Sequence, residues 1–165
     1  MSGLDRIRTP EGMAGLWLGG LAEVGPDPDG VRRGLGAGAV VVSFNHARDL
    51  KRYPDYAAWL RESPDARWWP VHDFGAPRLE QALVIADEVA GLLREQRPVL
   101  MHCTGGYGRS GTLAACVLIA AGVPADEAVP RIAEDRPGAG PETSAQRRLV
   151  VAVAEHVARR RGRED

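Results

Sequence analysis

The sequence predicts one α/β domain, a central and mostly parallel sheet flanked by helices, and three observations predict it. Short β-branched or apolar runs alternate with stretches of helical periodicity, the pattern of strands covered by crossover helices. One of those runs empties directly into a glycine-rich loop that opens an apolar helix. Neither a repeat nor a linker breaks the 165 residues, so residues 1–165 read as a single unit long enough to bury a core without staples.

Leu16-Trp17-Leu18 begins a short strand that ends at Gly19-Gly20. Residues 25–30, Gly-Pro-Asp-Pro-Asp-Gly, carry turn chemistry and lead into a short helical piece over 31–35. Residues 39–43, mostly β-branched and bounded by Gly38 and Asn45, read as a buried strand. A helix is expected over 55–61, and a third strand over 68–71 between Pro64 and Gly75. Pro77 marks the start of a helix with Leu79, Leu83, Ala86, Val89 or Ala90, and Leu93 at helical spacing, ending before Pro98. Residues 99–102 make a fourth apolar strand, and a buried helix follows over 110–121, closed by Gly122. Another helix is expected over 124–135. The last runs over about 144–159, with Leu149, Val150, Val153 and Val157 on one face.

Hydrophobic residues at 44% and charged residues at 26% are the balance of a soluble globular chain. A formal charge of −1 gives no overall basic field, so no nucleic-acid partner is expected. Among the 21 basic residues only Lys51 is lysine, which reflects a compositional bias. Cys103 and Cys116 form neither a disulfide framework nor a Cys-x-x-Cys pair, and a reducing, cytoplasmic setting follows. Residues 1–15 hold no apolar signal region, and the longest apolar run, 113–121, is about half a membrane span, so no membrane partner is expected.

Residues 99–112 read Val-Leu-Met-His-Cys-Thr-Gly-Gly-Tyr-Gly-Arg-Ser-Gly-Thr. A strand delivers Cys103 to its carboxyl end; Thr104, Gly105, Gly106, Tyr107 and Gly108 follow, and Arg109 opens a helix. Glycines let successive backbone N–H groups turn inward into an anion nest. The helix N-terminus adds unpaired donors and the positive end of its dipole. Arg109 adds a planar fork for two phosphate oxygens. The same field favours a thiolate at Cys103, which attacks phosphorus without a separate base. Ser110 is placed to donate a hydrogen bond to the sulfur as it leaves. A lone cysteine is more commonly a small buried hydrophobe, but three glycines beside a core thiol have no packing rationale. His102, Cys103, His72 and Asp73 match no usual zinc spacing, so neither metal nor cofactor is expected.

The run His102-Cys103-Thr-Gly-Gly-Tyr-Gly-Arg109-Ser110-Gly111 resembles the signature of the protein tyrosine and dual-specificity phosphatase superfamily. In the form Cys-x-Gly-Gly-x-Gly-Arg-Ser it most resembles the group that includes cyclin-dependent kinase inhibitor 3 and its bacterial dual-specificity-like relatives. The resemblance runs from Leu16 to the final helix and is sharp at Asp73 and at Cys103 to Ser110. It implies a phosphatase acting on a phosphorylated protein or peptide through a cysteinyl-phosphate intermediate, with the phosphate loop set between strand and helix. Tyr107 is a bulky departure within that loop. The compact chain implies a shallow cleft, which leaves phosphotyrosine and phosphoserine or phosphothreonine both open.

Such an enzyme needs an acid for the departing alkoxide or phenoxide, a contribution of about 10²–10⁴ in rate. Asp73 is the candidate, expected at the end of the third strand on a loop closed by Pro77. Its Asp-x-Gly-x-Pro run resembles the mobile acid loop of the tyrosine phosphatases, whose aspartate acts as acid and then as base. A turn former or helix cap is the competing reading. His72 is the rival acid, but period-two alternation points it away from Asp73.

Residues 136–146 resemble the family's segment between its last two helices, which implies a water-orienting role for Gln146. A solvated glutamine on a helix capped by Thr143 or Ser144 is the competing reading. His102 is expected to be structural, bonded to loop carbonyls. Cys116 reads as a core thiol, with a reversible disulfide to Cys103 as the alternative. Phe74 and Tyr107 are candidates for an aromatic wall beside a phosphotyrosine ring. The lack of lysine or arginine among residues 104–108 argues against highly charged inositol phosphates. Two other classes compete. A rhodanese-like sulfurtransferase would have a shorter loop and no paired acid, and a phospho-binding module without turnover needs no thiolate.

Overall fold

Both faces of the central strands are apolar, and that decides the layering. The computed structural model describes residues 3–164, so Met1, Ser2 and Asp165, the ends of the expected single unit, lie outside the described residues. The strands are β1 (Asp5–Ile7), β2 (Leu16–Gly20), β3 (Val40–Ser43), β4 (Ala66–Trp68) and β5 (Val99–Cys103). They form one sheet in the order β1-β2-β5-β3-β4. β2, β5, β3 and β4 are parallel, and β1 lies antiparallel on β2. The helices are α1 (Leu21–Val24), α2 (Pro28–Leu35), α3 (Pro54–Glu62), α4 (Leu79–Arg94), α5 (Arg109–Ala120), α6 (Ala125–Asp135) and α7 (Ser144–Glu164), with a 3₁₀ turn at Ala47–Leu50.

Successive strand side chains point to opposite faces, so each central strand feeds two cores. Val40 and Val42 of β3 and Val99 and Met101 of β5 join the cluster built with α4, α5 and α7. Val41 and Leu100, one residue out of phase, join Leu21, Leu50, Tyr56 and Leu60 on the other face. Every residue of α5 is buried, as a helix apolar all round must be. It packs against α4, α6 and α7. Each of its larger apolar side chains contributes about 1.5–3 kcal/mol by leaving water. This fixes the helix whose first turn carries Arg109 and Ser110.

The fold class is the expected one, and four local expectations are corrected. The third strand, expected over 68–71, is β4 at Ala66–Trp68. Trp69 and Val71 still donate to Ser43 O and Phe44 O, but Pro70 between them has no N–H and the ladder stops. The helix expected from Pro77 begins at Leu79, with Arg78 as its cap. The final helix continues beyond Arg159 because Arg160 pairs with Asp87 at 3.0 Å and Arg161 donates to Ile119 O. β1 was not expected at all: in three residues it offers one buried side chain, Ile7, which is too little for a periodic signal.

Candidate active site

β5 lies between β2 and β3, so its carboxyl end opens at the middle of the sheet edge, where ligands of parallel sheets bind. Cys103 is its last residue and sits at the base of the loop, 3% exposed. Its Sγ accepts the Gly106 N–H at 3.3 Å and lies 3.3 Å from Ser110 Oγ.

The loop's shape is set from outside. Four successive carbonyls are drawn away from Cys103: Thr104 O takes Leu21 N–H, Gly105 O takes Arg136 Nη2, Gly106 O takes Arg136 Nε and Tyr107 O takes Gly140 N–H. These peptides are all trans. In a trans peptide the N–H points opposite to the C=O, so the N–H groups of Gly105 to Gly108 face the other way, into the loop. The Gly106 N–H on Cys103 Sγ is one such group caught in contact. Gly106 adopts φ +81°, and a Cβ there would lie 2.3 Å from Gly19 O, so only glycine closes the loop. Gly111, in the first turn of α5, is equally constrained: a Cβ would meet Gly140 N at 2.5 Å.

Arg136 is therefore the outer clamp. It is buried, is salt-bridged to Asp5 at 2.9 Å, and has its guanidinium 4.6 Å over the Tyr107 ring. Arg136 opens the segment 136–146 noted in the sequence, where nothing marks this role. The sequence shows it only as a lone arginine ahead of Pro137-Gly138, because the hydrogen-bond partners of its guanidinium lie 30 or more residues away.

Arg109 is 2% exposed and held along one edge. Its Nη1 donates to Asp49 Oδ2 at 3.0 Å and to Val71 O at 2.8 Å. Nη2 reaches Thr104 Oγ1 at 3.3 Å and lies 3.7 Å from Asp73 Oδ1. Nε finds no acceptor among the described residues. An orphaned buried N–H costs about 1–3 kcal/mol, so a guanidinium in this state is suited to an incoming anion. Asp49 and Asn45, both missed in the sequence, complete the brace. Asp49 Oδ2 also accepts the His46 N–H, and Asn45 Nδ2 donates to Thr104 Oγ1. Burial alone would raise the Asp49 carboxyl, but the bonds from Arg109, Asn45 and the His46 N–H outweigh it and hold it below the usual range.

Asp73 lies between β4 and α4 with its side chain 63% exposed. It accepts the Phe74 N–H at 3.0 Å and faces Arg109. Phe74 has φ +63°, an uncommon value away from glycine. The loop is tied down just beyond it: Thr143 Oγ1 donates to Phe74 O at 3.1 Å, and Gln146 Nε2 to Gly75 O at 3.1 Å. Here the structure departs from the expectation for Gln146. It is wholly buried, and its Oε1 is occupied by Glu142 N–H, so both ends of the amide are spent on backbone instead of pointing to a water. Nor is it a solvated side chain. Thr143 caps α7 by accepting the Gln146 N–H at 3.2 Å.

His102 faces the second core. Burial pushes its pKa down to about 4, helped by the Arg109 charge and opposed by the bond to Cys103 O. The ring is thus neutral, with Nδ1 donating to Cys103 O at 3.2 Å and Nε2 accepting from Tyr56 OH at 2.5 Å. Cys116 is buried on α5, and burial pushes its thiol up to about 12. His72 is exposed and stacks on His46 with ring centroids 4.4 Å apart. Among the described residues no group of three metal-ligating side chains is gathered.

A family model described as Tc-R-P, polymorphic toxin system, DSP-PTPase phosphatase, matches residues 40–123. Cyclin-dependent kinase inhibitor 3 of Rattus norvegicus is 42% identical over 50 residues, which are 30% of this chain and 24% of that protein. The Homo sapiens protein of the same name is 40% identical over 50 residues, with the same shares. The chain spans about a quarter of the length of these curated relatives. Among solved structures, Tk-PTP in its active form has a TM-score of 0.69 at 29% identity, over 88% of this chain and 93% of its own. Kinase associated phosphatase, with serine in place of its catalytic-site cysteine, has a TM-score of 0.76 at 20% identity, over 94% and 95%.

Proposed function

This chain belongs to the DSP-PTPase phosphatase family of polymorphic toxin systems, and from that premise we propose that it hydrolyses phosphomonoesters on proteins or peptides through a cysteinyl-phosphate. The observation that carries the proposal is the row of loop N–H groups turned inward around Cys103, beside the unpartnered Nε of Arg109.

Cys103 is the nucleophile. Its thiolate forms the S–P bond while the P–O bond to the leaving group breaks. The N–H groups of Gly105 to Gly108 and the Arg109 fork hold the three peripheral oxygens, whose charge they meet without reorganising. Asp73, in its acid form, gives its proton to the departing oxygen. As carboxylate it then takes a proton from water, whose oxygen attacks phosphorus and breaks the S–P bond. The returning thiolate accepts a hydrogen bond from Ser110, already 3.3 Å from it. His102 holds the strand end and takes no proton.

Asp73 also separates this reading from sulfur transfer, which calls for no proton donor above the loop. Phe74, 61% exposed and next to Asp73, is the candidate for an aromatic wall beside a phosphotyrosine ring, whereas the Tyr107 ring is taken up by the Arg136 guanidinium at 4.6 Å. The cytoplasm is the expected setting. None of the described helices is long and apolar enough to cross a membrane.

The test is hydrolysis of p-nitrophenyl phosphate with vanadate as competitor. The native chain should turn over, and Cys103→Ser should bind a phosphopeptide yet release no phosphate. Turnover by Cys103→Ser would overturn the assignment, and a persulfide formed on Cys103 from thiosulfate would favour a sulfurtransferase.

A further inference from the structure

The loop's own residues carry no positive charge before Arg109, but a different segment brings three cations to its flank. The 3₁₀ turn and the bend after it bring Arg48, Lys51 and Arg52 to a groove of about 410 Å³ that Thr104, the residue after Cys103, also lines. All three side chains are exposed, and none forms a salt bridge among the described residues. The groove also has an apolar part, contributed by Leu21, Ala22 and the Tyr53 side chain. Asp49 is its acidic member, and that charge is already met by Arg109 at 3.0 Å. What is left facing solvent is a cationic and partly apolar groove that shares Thr104 with the phosphate loop.

We propose that this groove is a second anion subsite, taking an acidic or phosphorylated side chain that flanks the phosphoresidue of a peptide substrate. The proposal rests on the phosphatase reading of the loop and deepens it by naming the substrate class. Arginine forks match carboxylate and phosphate oxygens, and an unpaired cation has no competing partner to give up. The apolar part suits the methylene stem and backbone of a neighbouring residue better than a fully hydroxylated ring. Substrates should therefore be chosen by what stands beside the phosphate, with the cations acting on capture more than on the chemical step.

Lys51 is the chain's sole lysine, so amine-selective labelling at that side chain reports on the groove by itself. The experiment uses full-length Cys103→Ser to hold substrate without turnover. Two sets of phosphotyrosine peptides are compared, one with glutamate or phosphoserine at successive flanking positions and one with alanine there. At one position the anionic peptide should bind about 10-fold more tightly and protect Lys51 from labelling. Raising the salt to about 0.5 M should shrink that ratio, since exposed charges are screened. In Cys103→Ser carrying Arg48→Gln, Lys51→Gln and Arg52→Gln the two peptides should bind within about twofold of each other. These side chains are exposed, and an unchanged thermal melt verifies that the variant folds.

Equal binding of both sets by the first protein, or a preference that survives the triple change, overturns the proposal. So does protection of Lys51 by phosphoinositide vesicles with none by peptides, which would make the groove a lipid-headgroup site. Failure of the phosphatase reading is seen separately, as absence of p-nitrophenyl phosphate turnover by the native chain.

Discussion

Asp49 Oδ2 lies 3.0 Å from Arg109 Nη1, and the same oxygen accepts the His46 N–H at 2.9 Å. One carboxylate thus locks the turn after β3 to the guanidinium of the phosphate loop. Asp49→Asn keeps the shape and removes the charge, leaving Nη1 held chiefly by Val71 O. The expected result is a fall of about 10–100-fold in kcat/KM for p-nitrophenyl phosphate, because a misplaced clamp costs about that much. An unchanged value would show that Arg109 needs no brace.

Asp73 and Gln146 are expected to share a leaving-group signature. Asp73→Asn should cost about 10²–10⁴ on an alkyl phosphate and far less on p-nitrophenyl phosphate, whose phenoxide departs without a proton. Gln146→Leu frees the loop at Gly75 and should give the same pattern at about 10-fold. Were Gln146 to serve the hydrolytic water instead, its loss would slow the second step, and mass spectrometry would find cysteinyl-phosphate accumulating in the variant.

Arg136 is expected to control both affinity and folding. Lysine there is a point donor that cannot grip Gly105 O, Gly106 O and Asp5 together while lying over Tyr107. Arg136→Lys should weaken vanadate binding about 10-fold and cost about 2–4 kcal/mol of stability. Calorimetry of vanadate binding and urea unfolding give the two numbers. A stable variant with native vanadate affinity would mean the loop holds its own shape.

His102 makes the fold sensitive to acid. Its folded pKa of about 4 lies below the ordinary 6.5, so between those values the unfolded chain binds a proton that the folded chain refuses. Stability should rise with pH across that window, by on the order of 3 kcal/mol in all, and level off above it. Urea midpoints at about pH 5 and pH 7.5 measure this, and His102→Gln should flatten the dependence. An equal slope in the variant would place the acid sensitivity elsewhere.

The legible part of this chain was its contiguous part. Residues 103–110 announce a phosphate loop locally, through glycine spacing and position between an apolar run and a helix, although the bonds that shape it come from outside. The parallel sheet was equally readable, since β3 and β5 are buried on both faces and their residues show it. What escaped acts at long sequence range. Asp49 is 60 residues from Arg109, and Arg136 is 30 from the carbonyl it grips, so no window of periodicity joins them. Gln146 was found by analogy, but its burial against Gly75 depends on where α7 meets the loop before α4, which only tertiary packing decides.

The four outward bonds of the loop come from Leu21, Arg136 and Gly140, and Arg136 is in turn moored to Asp5. The stretch 40–123 that identifies the family contains none of these donors. Cut out by itself, that stretch would keep every signature residue and lose the scaffold that shapes them. A unit able to bind an oxyanion therefore needs the first strand, which moors Arg136, and the last helix, which packs against α5. Recombination or truncation inside those limits would leave a recognisable motif without its conformation.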